Sequence, residues 1–441
     1  MTKELLATND IAAIKSALAE MNPVDVAEEF DELDDSASVV KLFRVLPKDT
    51  AADVFAYLSH DRQQEIVSAI KDKEVARIID DLFLDDAVDF IEEMPAFVVK
   101  RVLSNLPPEK RDAINHFLKY PENSAGSIMT IEYIDLKAHL TVAETFEKIR
   151  AEGVDKETIY TCYVIDAARR LVGTVSVRTL LLSLPTDTIG EIMERSIISA
   201  TTYDDKETLA NDFRRYGLLA MPVVDNEKRL VGIVTFDDVM TVQEEEATED
   251  FELMAAMSPS DEPYLKTSVL KLTQNRILWL MLLMLSATVT GSIISGFEDA
   301  LAVMPALVAF IPMLMDTGGN AGSQSSTLII RGMALDEIRL SDVFRVLWKE
   351  VRVSLLCGGA LAAVNFLRIV LLQHEPTVAL AVSLAILATV VLAKTVGCLL
   401  PMGAKLLRLD PAVMASPVIT TVVDAGALLL FFAFAKGLLG V

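Results

Sequence analysis

Three ionisable side chains stand out within long apolar runs in the C-terminal part of the sequence: Asp316, Lys394 and Asp424. Asp424 sits within Pro417-Val418-Ile419-Thr420-Thr421-Val422-Val423-Asp424-Ala425-Gly426, where no basic residue is near. A carboxylate in such surroundings is costly unless it faces water, a cation or a partner, so ion coordination is the expected chemistry. Asp316 opens the polar, small-residue stretch Asp316-Thr317-Gly318-Gly319-Asn320-Ala321-Gly322-Ser323-Gln324-Ser325, which suits close helix contact or the lining of a wet cavity. The plainer role for Asp316 is a structural ion pair with Lys394. Two acids converging on one water would make an aspartyl hydrolase. Lys394 is expected to occupy one of them, and His60, His116, His139 and His374 lie outside the span centres, so no enzyme is expected.

A second set of carboxylates lies earlier in the chain. Asp85, Asp86 and Asp89 share one amphipathic segment, Asp205, Glu207, Asp237 and Asp238 another region, and Glu244, Glu245, Glu246, Glu249 and Asp250 form a run. Taken alone, that run reads as a solvated helix face. Carboxylates gathered from several elements, however, repel unless cations bridge them. Hard oxygen ligands suit Mg2+, which keeps much of its hydration shell, so each such site is weak and fits a sensor of an abundant cation.

The elements that must position these residues fall into two chemically distinct parts. The formal charge is −23, yet 52% of residues are hydrophobic. The first 270 residues carry 28 Lys plus Arg against 53 Asp plus Glu, and the remainder 12 against 10. A chain this acidic is not expected to bind nucleic acid. The neutral part holds five apolar runs: Ile277 to Phe297, then roughly 302–330, 350–372, 378–403 and 411–437. At ~1.5 Å per residue each spans a ~30 Å hydrocarbon layer. Lys271, Arg276, Arg331, Arg339, Arg345, Lys349, Arg352, Lys405 and Arg408 cluster at one set of span ends, whereas the turns near Glu298 and His374 lack Lys and Arg. Basic residues favour the cytoplasmic side. The acidic part is therefore expected in the cytoplasm, the C-terminus outside, and the chain multi-pass in the inner or plasma membrane. Cys162, Cys357 and Cys398 have no metal-ligand spacing.

In the first 120 residues Leu46-Pro47 matches Met94-Pro95, and Val54, Leu58 and Ile66 recur 48 residues on as Val102, Leu106 and Ile114. The spacing predicts stacked short helices. From about Ser127 two copies of a strand–helix pattern follow. Ile128-Met129 precedes a helix over Val142 to Arg150 and strands Cys162 to Ile165 and Leu171 to Ser176. Ile192-Met193 precedes a helix over Glu207 to Tyr216 and strands Pro222 to Val224 and Leu230 to Thr235. This order resembles a tandem of CBS domains, a module that often binds adenine nucleotides through a Ser or Thr followed three residues later by Asp. The second copy has Thr235 and Asp238, the first Ser176 and Thr179.

Four segments carry a wider likeness: Tyr120-Pro121-Glu122-Asn123-Ser124-Ala125-Gly126-Ser127-Ile128-Met129-Thr130, Glu246-Ala247-Thr248-Glu249-Asp250, Thr317-Gly318-Gly319-Asn320-Ala321-Gly322-Ser323-Gln324-Ser325, and the run around Asp424. Over nearly its whole length the chain resembles the MgtE family of Mg2+ channels. The resemblance implies a helical superhelix over 1–126, CBS domains over 127–190 and 191–242, a connecting helix over 243–270 that plugs the pore, and a five-helix membrane domain over 271–441. It implies a homodimer in lipid with a pore lined by the second and fifth spans, including Gly318, Gly319, Asn320, Gly322, Thr420 and Thr421. Asp424 of both subunits would hold hydrated Mg2+, and Asp85, Asp89, Asp205, Glu207, Asp238, Glu246, Glu249 and Asp250 would sense it. Thr241 stands where a linker acid is expected, and Thr179 and Leu218 replace an acid and an aromatic that nucleotide-binding relatives use, so ATP is not an expected cofactor. Secondary transport of Mg2+, Mn2+ or Co2+, or a non-conducting Mg2+ sensor, are the alternatives. A phosphate-binding loop ending in Lys-Ser or Lys-Thr is not found, so no ATP motor is expected.

Overall fold

The computed structural model describes residues 11–33, 35–260, 264–265 and 267–440. The first ten residues of the expected helical domain lie outside it. The chain divides into two compact units, Met1–Gln243 and Glu244–Val441.

The first unit opens with nine short helices among the described residues: α1 Ile11–Glu20, α2 Pro23–Asp31, α3 Ser36–Phe43, α4 Lys48–Tyr57, α5 His60–Ala69, α6 Asp72–Asp81, α7 Leu84–Glu93, α8 Ala96–Asn105 and α9 Pro108–Phe117. Each is about three turns, too short to be stable alone, so packing must hold it. From α2 onward each helix packs on the one two places further along, which is a superhelical stack. The repeat is visible in the helix starts: α4 and α8 begin at residues 48 and 96, and α5 and α9 at 60 and 108. Pro47, Pro95 and Pro107 stand at the N-caps of α4, α8 and α9, where a missing N–H costs nothing. Phe30, Phe55, Ile66, Ile79, Leu84 and Phe90 fill the core.

The two α+β copies follow. Strands β1 Asp135–Leu136, β2 Thr161–Ile165 and β3 Leu171–Ser176 form one sheet, and β4 Ala200–Thr201, β5 Ala220–Val224 and β6 Leu230–Thr235 the other. In both, the first pair is parallel and the second antiparallel. Helices α10 Val142–Glu152, α11 Val177–Leu182 and α12 Ile189–Ile192 belong to the first copy, and α13 Lys206–Tyr216 to the second.

The boundaries expected at 126/127 and 190/191 cut across an exchange of segments. Thr130 pairs with Ile233 of β6 (N–O 2.7 and 2.8 Å), and Glu194 with Thr174 of β3 (2.9 Å each way). Each copy's leading Ile-Met thus packs on the other copy. A Cβ at Gly232 would lie 2.8 Å from Met129 Sδ, and one at Gly173 would lie 2.5 Å from Met193 Sδ, so glycine makes room for the methionine in both.

A single helix, α14 Phe236–Met254, runs from the second copy across the division between the units. The expected break at 242/243 falls inside it, because good helix formers continue through the acidic run.

The second unit contains α15 Val269–Gly296, α16 Glu298–Val303, α17 Ile311–Ala334, α18 Val343–Gln373, α19 Pro376–Leu406 and α20 Ser416–Leu439. Among the described residues four helical stretches, Val269–Gly296, Leu340–Gln373, Pro376–Leu406 and Pro411–Leu439, are long and apolar enough to cross a membrane. The remaining long helix, α17, is the polar one. It starts at residue 311 instead of 302, because Pro305 opens a separate 3-10 turn and Pro312 fits only the first turn of a helix. Helix α19 is the hub, packed on α17, α18 and α20.

Small residues let the backbones meet. A Cβ at Gly397 of α19 would clash with the Gly322 carbonyl oxygen of α17. Gly397→Ala should therefore force the two helices apart and destabilise the chain by about 1–3 kcal/mol. A thermal midpoint in detergent no lower than that of the native chain would contradict this packing.

Candidate functional site

Helix α7 begins at Leu84, which puts Asp85 and Asp86 in its first turn, and α14 begins at Phe236, which does the same for Asp237 and Asp238. Acids are favoured there by the N–H groups left unpaired at a helix start. Glu157, on the loop after α10, has its backbone N–H bonded to Glu132 O at 2.9 Å. These acids feel one another strongly. Asp85, 7% exposed, is pushed well above the carboxylate range by burial and then by the charges of Asp238, Asp86 and Glu157. Burial raises Asp86 to about 6, with Asp237 adding to the rise and Lys110 opposing it. Asp238 also reaches about 6 through burial, against the hydrogen bonds from Thr235. Glu157 is lifted to about 8 by burial and by Asp237, Asp238 and Asp86. The first turn of α7 thus shares one electrostatic site with the start of α14.

Of the eight carboxylates singled out from sequence, five lie in the first unit and three in the second. Asp85 and Asp238 belong to this cluster, whereas Asp89 is exposed one turn further along α7. Asp205 caps α13, accepting from Glu207 N at 2.9 Å and Thr208 N at 3.2 Å, beside an exposed Glu207. Glu246, Glu249 and Asp250 lie in the second unit. Among the described residues no three His, Cys, Asp or Glu side chains form a ready-made metal centre. Mg2+ bound through its own waters does not demand one. Sequence reasoning missed Glu157, since Asp155 and Glu157 flank Lys156 in a short polar turn that nothing local marks as part of a site.

The Thr235–Asp238 pair is internally satisfied: Thr235 Oγ1 donates to Asp238 Oδ2 at 2.7 Å. In the first copy Ser176 Oγ lies 2.9 Å from Thr179 Oγ1, with no acid in that place. Thr241 is exposed and its hydroxyl turns back to the Asp237 carbonyl at 3.4 Å.

At the far end of α14, Leu253 and Met254 pack on Ile330, Ala412 and Ala415. Asp250 beside them is raised to about 6 by burial, then by Asp410 and Glu249, with Arg331 pulling it back. Asp410, outside the spans and one among many surface acids, was not singled out from sequence.

In the helical unit Asp424 is half-buried on α20. Thr420 and Thr421 both donate to the Pro417 carbonyl, at 2.9 and 3.0 Å. Asp316, Asn320 and Gln324 form an exposed stripe along α17, while Gly318, Gly319 and Gly322 are buried. Those glycines serve helix packing: Gly318 meets Thr389 and Val423, Gly319 meets Thr420, and Gly322 meets Ile419. Asn320, expected beside them in the path, lies on the exposed side of the helix. The expected Asp316–Lys394 pair is also replaced. Lys394 donates to Ser325 Oγ at 3.2 Å, and Ser325 Oγ donates to Glu350 Oε2 at 2.6 Å. Asp316 lies nine residues from Ser325, about 13.5 Å of helix rise away. Glu350 was missed because it stands at the edge of its apolar run.

Relatives match nearly the whole chain in sequence. The magnesium transporter MgtE of Thermus thermophilus is 36% identical over 99% of this chain and 97% of its own length. That of Bacillus subtilis is 31% identical over 98% of this chain and 95% of its own. The chain belongs to the MgtE family of magnesium transporters. Family models agree: the MgtE divalent cation transporter domain matches residues 311–434, the MgtE intracellular N domain 4–123 and a CBS domain 189–245. Among solved structures, the cytosolic domain of the Mg2+ channel MgtE in complex with ATP is similar at 34% identity and TM-score 0.52, covering 54% of this chain and 98% of that one. The soluble part of a magnesium transporter gives 28% and 0.53, covering 56% of this chain and 96% of that one. MgtE members transport magnesium across a membrane and are not a class of enzymes, and the apolar helices of this chain accord with a multi-pass membrane protein.

The raised carboxylates set a pH dependence. A carboxylate whose folded pKa lies above its unfolded value stabilises the fold below the unfolded pKa and loses that contribution as pH rises through the folded one. Without divalent cations, the first unit should therefore lose stability between about pH 4 and pH 8, the window bounded by Asp86, Asp238 and Glu157. Mg2+ should raise its thermal midpoint more at pH 8 than at pH 6, and Asp238→Asn should shrink that gain. An equal Mg2+ effect at both pH values would show that these acids do not take up the ion.

Proposed function

We propose that the chain is a Mg2+ channel, passing the ion into the cell down its electrochemical gradient and closed by cytosolic Mg2+. The inward voltage drive on each elementary charge is ~2.3 kcal/mol per 100 mV, so no motor is needed. The observation that supports sensing best is the meeting of buried Asp85 with half-buried Asp86, Asp238 and Glu157 and exposed Asp237. At neutral pH these groups repel unless a cation or protons neutralise them. Cation binding then favours the compact arrangement, and loss of the cation favours its loosening. Asp89, Asp205, Glu207, Glu246, Glu249 and Asp250 extend the sensing surface in this reading. The continuous helix α14 is the element able to carry the change toward the membrane unit, with Asp250 and Asp410 as a further acidic pair.

The transport path in this proposal is formed by two copies of the chain around a two-fold axis. The exposed polar stripe on α17 supports that arrangement, since Asp316, Asn320 and Gln324 would otherwise face hydrocarbon. Asp424 of each copy is assigned to hold a largely hydrated Mg2+, with Thr420 and Thr421 near it on α20. The acidic domains lie in the cytoplasm and the C-terminus outside. The CBS pair is assigned to cation sensing and not to nucleotide, because Thr179 stands where the first copy would need an acid and Asp238 is turned among other carboxylates.

Mg2+ influx into liposomes holding the full chain tests both halves of the reading. Influx should fall when internal Mg2+ is raised, and Asp424→Ala should lose flux or selectivity for Mg2+ at low internal Mg2+. Flux that ignores internal Mg2+ would remove the sensor. An uphill flux driven by a second ion would make the chain a secondary transporter, and no divalent flux at all would leave a sensor without a channel.

A further inference from the structure

Two opposite charges are buried within the membrane unit and meet through one hydroxyl. Lys394 on α19 is 6% exposed, Glu350 on α18 is 9% exposed, and Ser325 on α17 between them is 1% exposed. A lysine ammonium has only donors and an ionised carboxylate only acceptors, so the serine must accept from Lys394 and give its proton to Glu350. The distances, 3.2 and 2.6 Å, agree with that direction. A hydroxyl has one proton, so no other order satisfies all three groups. The chain therefore ties three helices together at one point, in a medium where an unpaired member would be strongly penalised.

Ser325 lies about 140° around α17 from the mean direction of Asp316, Asn320 and Gln324. The bridge thus grips the back of the helix whose front carries the exposed polar stripe. We infer that Lys394, Ser325 and Glu350 are positioning residues for ion permeation, fixing the rotation of α17 and with it the aim of Asn320 and Gln324 into the path. This rests on the channel reading above and adds a determinant of selectivity that touches no ion. The glycine contacts of α17 set how closely the helix approaches its neighbours, but they hold no direction comparable with a three-member hydrogen-bonded chain.

The test uses the full chain in liposomes, with Mg2+ influx and the ratio of Mg2+ to Na+ permeability measured per folded protein, beside thermal midpoints in detergent. Ser325→Ala keeps both charges and nearly all the volume but removes the bridge. It should lower the permeability ratio by about ten-fold, the scale of one lost hydrogen bond to a charged group. The double variant Lys394→Met with Glu350→Gln leaves no uncompensated charge, so it should fold with a midpoint near native while the ratio stays low. Each single neutralisation should lower the midpoint as well. Native flux and native ratio in both Ser325→Ala and the double variant would overturn the inference and leave only a compensated charge pair. A native chain that passes no Mg2+ would overturn the channel reading itself, a result separable from the first because it needs no variant.

Discussion

Carboxylates held close together with little water around them repel one another, and the first unit sets such a group where the first turn of α7 meets the start of α14. Burying Asp85 beside Asp86, Asp238 and Glu157 raises the proton affinity of each, because desolvation and mutual repulsion act in the same direction. A fold optimised only for stability would place these groups in solvent. Here the stacked short helices and the two sheets supply the rigidity that keeps them together. The shared core, from Phe55 and Phe90 in the stack to Val234 and Val239 in the second copy and the Met129 seated on it, gives a broad apolar contact in which the acid cluster is one locally unfavourable spot. In the proposed mechanism a few cations relieve that spot without the whole unit unfolding.

The membrane unit solves a related problem with different means. Its charges are balanced by its own residues, through the Lys394–Ser325–Glu350 chain, whereas Asp424 has no basic group within its run. The contrast separates two roles for charge in apolar surroundings. A compensated pair restrains helix geometry and has no further capacity for an ion. An uncompensated acid on a half-buried helix face retains that capacity, and in the proposed mechanism it is the one that meets Mg2+.

Much of the architecture was legible in the sequence because it is written in periodicities. The 48-residue shift reappears as helix starts, the paired Leu-Val-Gly strands reappear as β3 and β6, and long apolar runs reappear as α15, α18, α19 and α20. The polar stretch after Asp316 was legible as unusual but not as two-faced, since composition does not say which residues meet a neighbour. Only geometry assigns Gly318, Gly319 and Gly322 to packing and leaves Asn320 exposed. The exchange of the Ile-Met segments, the contribution of Glu157 and the partner of Lys394 were not legible. Each depends on residues far apart in sequence, and none leaves a local pattern.

The Lys394 case shows why charge counting alone misleads. Pairing Lys394 with Asp316 balanced the membrane helices on paper, since both interrupt apolar runs. Helix rise rules it out: Lys394 meets α17 at Ser325, two and a half turns from Asp316, and Glu350 reaches the same serine from a third helix. A buried ammonium needs an acceptor where it stands, so its position along the neighbouring helix, and not the list of available acids, decides its partner. Asp316 is thereby released to the exposed stripe with Asn320 and Gln324. The same argument that removes the expected ion pair thus adds a carboxylate to the face on which the proposed path depends.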